Sequence, residues 1–309
     1  MTQRLMLLDT ASLYFRAYFG IPEGAMKAPD GTPVNAVRGL LDFISRLTAD
    51  ERPTHLVACM DADWRPQWRV DLIPSYKEHR VVEEVPGGSD VEEVPDTLSP
   101  QVPVIEAVLD ALGIARVGVA DYEADDVIGT YATHAKTPVD IVTGDRDLFQ
   151  LIDDKRSVRV LYTVKGVAAH EVLTDDSVRE RYGVPASRYA DFATLRGDAS
   201  DGLPGVKGIG EKTAAQLIEQ FGDLAGIIAA AEDPAVKMTP ARRQRLLDGR
   251  DYLKVAPTVV KVASDVPLPD VDTTMPSKPR DPKALKELGE QWGLGGSLSR
   301  LVTQLAEAR

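Results

Sequence analysis

Short apolar runs alternate with helix-period patterns through the first half of the chain. Leu5–Leu8, Leu56–Met60, Ala115–Val119 and Val139–Val142 are nearly unbroken apolar segments of strand length. Between them Val34–Leu47, Pro103–Leu112 and Ala124–His134 place apolar residues at helical spacing. Strands apolar on both faces belong in parallel sheets covered by helices on each side. The pattern therefore predicts an α/β fold with a mostly parallel central sheet flanked by helices. Val158–Val164 alternates more cleanly and is read as an edge strand.

Beyond Ser187 the strand signals stop. Arg188–Leu195, Thr213–Phe221, Leu224–Ala231 and Pro240–Leu247 read as short helices joined by Gly/Pro turns. The expected organisation is an α/β unit over 1–185, an all-helical module over 186–265, and a tail over 266–309. That tail is a proline-rich extended connection (Ser264–Pro282) followed by an amphipathic helix, Pro282–Trp292, that docks back on the body. Glu83–Asp96, rich in acids with two prolines and two adjacent glycines, is read as a mobile, solvated loop.

Composition changes this picture little. The 309 residues are ordinary globular composition, and the single cysteine, Cys59, rules out an intramolecular disulfide and sits in an apolar run as a packing residue. No stretch approaches the roughly 20 apolar residues of a membrane span, and no signal peptide is visible, so a cytoplasmic setting is expected. The net charge of −12 runs against binding a polyanion. It is reconcilable if the acids gather around divalent cations and the basic residues cluster locally.

The acids do follow a pattern. Asp9 and Asp61 end apolar strand candidates, and Asp145 and Asp147 follow a third through a short turn. In an open parallel sheet these ends share one rim, where ligands bind. Any one of them is also accounted for as a helix N-cap. Glu123, Asp125 and Asp126 open a helix, and Asp198 and Asp201 lie in a turn. One or two such acids suit the helix dipole or a turn, but adjacent carboxylates repel, and a cation relieves that cost. No His/Cys cluster accompanies the nine, so the donor set is all oxygen and points to Mg²⁺ or Mn²⁺ and phosphate chemistry.

Two basic features complement the acids. Gly205-Val-Lys207-Gly208-Ile-Gly210-Glu-Lys212-Thr213 opens a helix, where backbone N–H groups and lysines suit a phosphate, although a plain packing turn explains the glycines as well. Trp64-Arg-Pro-Gln-Trp68-Arg69 and Tyr76-Lys77-Glu-His-Arg80 interleave aromatic and basic residues as single-strand binders do, and as solvated amphipathic helices also do.

With these segments in view, the chain resembles the flap endonuclease family, as seen in the 5′-nuclease domain of bacterial DNA polymerase I. The resemblance rests on GDASDGLPGVKGIGEKTA at 197–214, TGDRDLFQL at 143–151, EADDVIGT at 123–130, Leu8-Asp9, Met60-Asp61-Ala62 and Tyr76–Arg80, in the family's order. It implies a PIN-like α/β domain, a helical arch over about 64–112, and a helix–three-turn–helix DNA clamp. It further implies one metal on Asp9, Asp61 and Glu123 with Asp125 between the ions, and a second on Asp145, Asp147 and Asp201 with Asp126 and Asp198 in support. Lys77 and Arg80 correspond to residues gripping the scissile phosphate, and Tyr76 to a ring stacking on a nucleotide. Arg16, and Arg69 in the basic strip, are candidate DNA contacts. Gly205, Lys207, Gly208, Gly210, Lys212 and Thr213 would hold the duplex backbone, with K⁺ a candidate at the turn. The implied activity is two- or three-metal hydrolysis of DNA with 5′ flaps or ends to 5′-phosphate and 3′-hydroxyl. The implied setting is replication and repair beside polymerase and ligase, with RNA primers as further substrates and a monomer expected. The alternatives are a non-catalytic DNA-structure binder and a PIN-type ribonuclease. Where the family's arch tends to be basic, Glu83–Asp96 is acidic.

Overall fold

In the computed structural model, which describes residues 3–85 and 88–307, the five strand candidates and one further strand assemble as one six-stranded sheet. The strands are β1 (Leu5–Asp9), β2 (His55–Cys59), β5 (Ala115–Val117), β6 (Val139–Thr143), β7 (Val158–Tyr162) and β8 (Glu171–Leu173), in the spatial order β5-β2-β1-β6-β7-β8. All neighbours are parallel except β7 and β8. Alternation along β1 shows why its run is wholly apolar. Leu5 and Leu7 face one buried cluster while Met6 and Leu8 face the other, so both sides of the sheet are core.

One cluster joins the sheet to helices α1 (Thr10–Gly20), α2 (Asn35–Glu51) and α4 (Gln101–Leu112), and to the C-terminal helices α12 (Pro282–Gln291) and α13 (Gly295–Glu307). The other passes through α5 (Ala124–His134) into the all-helical segment. That segment comprises α7 (Tyr189–Arg196), α8 (Glu211–Phe221), α9 (Leu224–Glu232), α10 (Pro240–Asp248) and α11 (Arg250–Val260), preceded by α6 (Asp175–Tyr182). Buried Tyr189, Phe192, Leu217 and Leu253 belong to the same cluster as Leu7 and Val57. Helix α12 buries Leu285 and α13 buries Leu298 and Leu301, while Arg300 of α13 pairs with Asp42 of α2 at 2.8 Å.

Three expectations are corrected. Val158–Val164 is not the edge: β8, too short for its pattern to register, pairs antiparallel outside it. The acidic stretch Glu83–Asp96 is not wholly loop. Strands β3 (Val81–Glu83) and β4 (Val91–Glu92) pair as a small antiparallel ladder, and Pro86 and Gly87 lie outside the described residues. Asp90 explains the order, since its carboxylate pairs with buried Arg65 at 2.5 Å and its carbonyl accepts from Trp64 Nε1. By the same token the implied arch is not helical throughout. Residues 64–112 hold short α3 (Gln67–Leu72), this ladder and α4. The proline-rich connection is held against the sheet: Leu56 N donates to Thr273 O and Met275 N to Thr54 O, so it pairs along the N-terminal part of β2. Helix α11 went unread because Pro257 lies within it.

Candidate active site

Parallel pairing of β1, β2 and β6 puts Asp9, Asp61 and Asp145 at one edge of the sheet, two or fewer residues past the strand ends. Helix α5 enters the same edge and brings Glu123 and Asp125. These five acids, with Lys77, Arg80, Tyr14 and Phe15, line a cavity of about 370 Å³. A smaller cavity of about 140 Å³ adjoins it through shared Gly144 and Asp145 and is lined by Asp147, Asp198 and Asp201. Of the nine acids, only Asp126 lines neither cavity.

The turn carrying Asp198 and Asp201 is docked by backbone contacts. Lys77 N donates to Asp201 O at 3.0 Å and Ser75 Oγ to Gly202 O at 2.7 Å. Gly202, at φ +68°, approaches so closely that a Cβ there would stand 1.9 Å from Ser75 O. Only glycine combines that left-handed backbone with that contact.

The carboxylates are not arranged as a closed cage. Among the described residues no group of three His, Cys, Asp or Glu side chains is disposed to hold a metal ion. The reason is visible in their partners. Glu123 takes Lys77 Nζ at 2.5 Å on Oε2, and Tyr76 Oη (2.8 Å) and Arg69 Nη1 (3.1 Å) on Oε1. Asp9 accepts from Thr143 Oγ1 and Ser12 N, so it does cap α1 as well as line the cavity. Asp61 accepts from Ala124 N, and Asp198 is held by Arg146 and Arg196. Internal donors and cations thus occupy much of the acid set.

What they leave is uncompensated. Burial, with the charges of Asp61 and Asp145, lifts the Asp9 carboxyl to about 7 against the partly opposing hydrogen bond from Thr143. Burial and neighbouring Asp145 and Asp9 push Asp125 well up, and burial with Asp145 and Asp201 does the same to Asp147. Asp147 Oδ1 is buried without any hydrogen-bond partner. A buried acceptor in a ring of carboxylates costs free energy unless a cation or proton joins it. The all-oxygen donor set suits a hard divalent ion.

Three expectations about site residues are revised. Arg69 is 2 % exposed and wholly engaged with protein, so it offers no surface to DNA. Tyr76 is 4 % exposed and its ring packs in the core while its hydroxyl holds Glu123, which leaves no face for a nucleotide. Asp126 accepts from Arg69, Ala263 N and Glu123 N, turned away from the cavities. Lys77 and Arg80 do reach the cavity wall, and Arg80 also pairs with Asp201 at 3.0 Å. Arg16 donates to Val164 O near Gly144, beside the site rather than in it. Thr143 was quoted in a motif but given no role, although it links Asp145 N to Asp9 through its hydroxyl.

The glycine turn lies on the helical module. Gly205, Lys207, Gly208, Gly210 and Lys212 are exposed or half-buried, and α8 has Gly210 at its N-cap and so no side-chain cap. Thr213 sits in its first turn, and Arg245 donates to Gly208 O at 2.9 Å.

Sequence comparison decides the family. Residues 4–183 match the family described as 5′-3′ exonuclease, N-terminal resolvase-like domain, and residues 184–283 match 5′-3′ exonuclease, C-terminal SAM fold. The chain belongs to the 5′-3′ exonuclease family. A 5′-3′ exonuclease of Streptomyces coelicolor is 71% identical over 300 residues, covering 97% of this chain and 99% of that one. DNA polymerase I of Mycobacterium bovis is 36% identical over 98% of this chain but only 32% of its own length. In fold, the chain is similar to the D15 flap endonuclease of bacteriophage T5, solved with DNA and metal ions, at TM-score 0.63 and 15% identity, covering 99% of each chain. The protein is a nuclease of this family with the mixed α/β fold its strands predicted. No helix among the described residues is long and apolar enough to cross a membrane.

Proposed function

We propose that this nuclease hydrolyses DNA phosphodiesters at 5′ flaps and 5′ single-stranded ends, leaving 5′-phosphate and 3′-hydroxyl products. The observation that carries the reading is the pair of adjoining acid-lined cavities at the C-terminal edge of the sheet, with Asp147 Oδ1 unpartnered between like charges. Asp9, Asp61, Glu123 and Asp125 are proposed to hold one Mg²⁺ or Mn²⁺, and Asp145, Asp147 and Asp201, supported by Asp198, another. When bound, such ions activate a water and stabilise the charge of the departing oxygen. Lys77 and Arg80 are proposed to neutralise the scissile phosphate from the cavity wall. Tyr14 and Phe15, lining the same wall, offer apolar faces to the adjoining nucleotide. Thr143 keeps Asp9 and Asp145 in register.

The exposed turn around Lys207 and Lys212, with the uncapped start of α8, is proposed to grip duplex phosphates without reading sequence. A K⁺ ion there would have to share Gly208 O with Arg245. Binding of a duplex in K⁺ against Na⁺, by the wild type and by Arg245→Ala, tests that finer reading. The division into 1–185, 186–265 and 266–309 is proposed as one of function, catalysis against duplex holding. RNA primers as substrates, collaboration with a polymerase and a ligase, a monomeric state and a cytoplasmic setting, which buried Cys59 suits, complete the proposal.

A single assay tests it. A 5′-flapped duplex and a matched hairpin RNA are incubated with Mg²⁺, Mn²⁺ or EDTA. Metal-dependent cutting of the flap alone is expected. Binding without cutting would favour a DNA-structure binder, and cutting of the RNA alone a PIN-type ribonuclease.

A further inference from the structure

Behind Glu123 lies a buried arginine with no route to substrate. Arg69, on α3, donates from Nη2 to Asp126 Oδ1 at 2.7 Å and from Nη1 to Asp126 Oδ2 at 2.8 Å, a two-pronged pair of fixed geometry. Nη1 also reaches Glu123 Oε1 at 3.1 Å, and Nε donates to Val259 O near the end of α11 at 3.1 Å. The guanidinium lies 4.3 Å from the centre of the Trp68 ring. Asp126 is saturated in turn, since Ala263 N donates to Oδ1 at 2.7 Å and Glu123 N to Oδ2 at 3.2 Å.

The segment after α11 is clamped at this point from several sides. Gln150 donates to Val260 O and accepts from Val262 N, and Val266 N donates to Thr130 Oγ1. Gly129 lets that segment pack against α5, for a Cβ there would stand 2.6 Å from Ala263 O. The elements that carry Glu123, Asp125 and Asp147 therefore lean on one fixed strut.

We propose that Arg69 is a positioning residue, pinned by Asp126 and the Val259 carbonyl, that holds the Glu123 carboxylate in the orientation its cavity requires for a divalent ion. The proposal rests on the metal reading of that cavity. Charge explains why an arginine serves here. The Asp126 carboxylate balances the guanidinium, so Arg69 orients Glu123 without adding net positive charge where a cation must bind. Lys77, on the other oxygen of Glu123, has no comparable partner of its own and competes with such a cation. A glutamate has three side-chain torsions, and fixing them beforehand spares the ion that ordering cost.

The test uses Arg69→Lys, Asp126→Asn and the double variant. The readouts are Mn²⁺ binding followed by electron paramagnetic resonance, kcat and KM on the 5′-flapped duplex, duplex affinity in EDTA, and melting temperature in EDTA. Arg69→Lys is expected to weaken Mn²⁺ binding and lower kcat by about 10- to 100-fold, the usual effect of losing a partner that orients a metal ligand, while duplex affinity in EDTA stays within about twofold of wild type. Because both residues act through Glu123, the double variant is expected to be no worse than the worse single one. Unchanged Mn²⁺ binding and kcat in Arg69→Lys, with only melting lowered, would overturn the proposal. So would loss of duplex affinity at unchanged Mn²⁺ binding, which would make Arg69 a DNA contact. Additive losses in the double variant would also overturn it by making Asp126 an independent ligand. Should Arg69→Lys not fold, Asp126→Asn alone decides, as it keeps the shape of the side chain and removes the balancing charge, and wild-type Mn²⁺ binding and kcat there would sink the idea. If the wild type itself binds no Mn²⁺, the metal reading fails instead.

Discussion

The acid-lined cavities and the glycine turn on the helical module face the same kind of ligand with opposite means. Around the cavities, carboxylates are crowded, Asp9 and Glu123 among them buried, and several are already answered by Lys77, Arg69, Arg80, Arg146 and Arg196. At the turn, Lys207 and Lys212 are exposed and the start of α8 is uncapped. The first surface repels phosphate until cations join it, and the second attracts phosphate as it stands. A net charge of −12 is therefore no guide to whether this chain binds a polyanion. The two regions report different quantities, catalytic turnover and duplex affinity, and variants should separate them.

The largest effect is expected at the acid shared by both cavities. Asp145→Asn should lower kcat at least about a thousandfold, since a bound ion is worth several kcal/mol to the transition state. Flap affinity in EDTA should persist. Turnover near that of the wild type would break the assignment of the cavities to catalysis. Next comes Gly202→Ala, where a Cβ meets Ser75 O at a backbone conformation foreign to alanine. We expect a loss of roughly 2 kcal/mol or more in urea unfolding, with reduced cutting because the Asp198–Asp201 turn leaves its seat. Unaltered stability would show that this docking is loose.

The turn is probed by replacing Lys207 and Lys212 together with alanine. Duplex affinity should fall, and the slope of log affinity against log salt should shrink by about 0.9 for each phosphate the variant no longer neutralises, while kcat at saturating substrate holds. A drop in kcat with an unchanged salt slope would merge the two regions that the comparison keeps apart. The smallest effect is expected for Tyr76→Phe. Removing the hydroxyl from Glu123 should cost about 1 kcal/mol of stability and a modest part of kcat. A ring acting by stacking on a nucleotide would leave this variant silent in both measurements.

Much of the site was legible because its logic is local and periodic. An apolar strand run ending in aspartate can be read at Leu8-Asp9 and Met60-Asp61, and parallel pairing then dictates a common edge. The roles of Asp126, Arg69 and Tyr76 were not legible in this way. Asp126 stands beside Asp125 in the chain yet points away from the cavities, because one step along a helix turns a side chain by about 100°. The basic and aromatic strip 64–80 reads as surface, and only packing against α5 and α11 shows Arg69 and Tyr76 to be interior. Strand β8 and the β3–β4 ladder were too short for periodicity to mark.

By itself, then, the chain determined its parallel sheet and the rim on which its acids gather, since these follow from hydrophobic period and strand direction, and its ordered motifs carried its family. Tertiary structure alone decided which charges are neutralised inside the protein and which remain for a ligand. That depends on contacts between residues such as Arg69 and Val259, 190 positions apart, whose pairing no local pattern encodes.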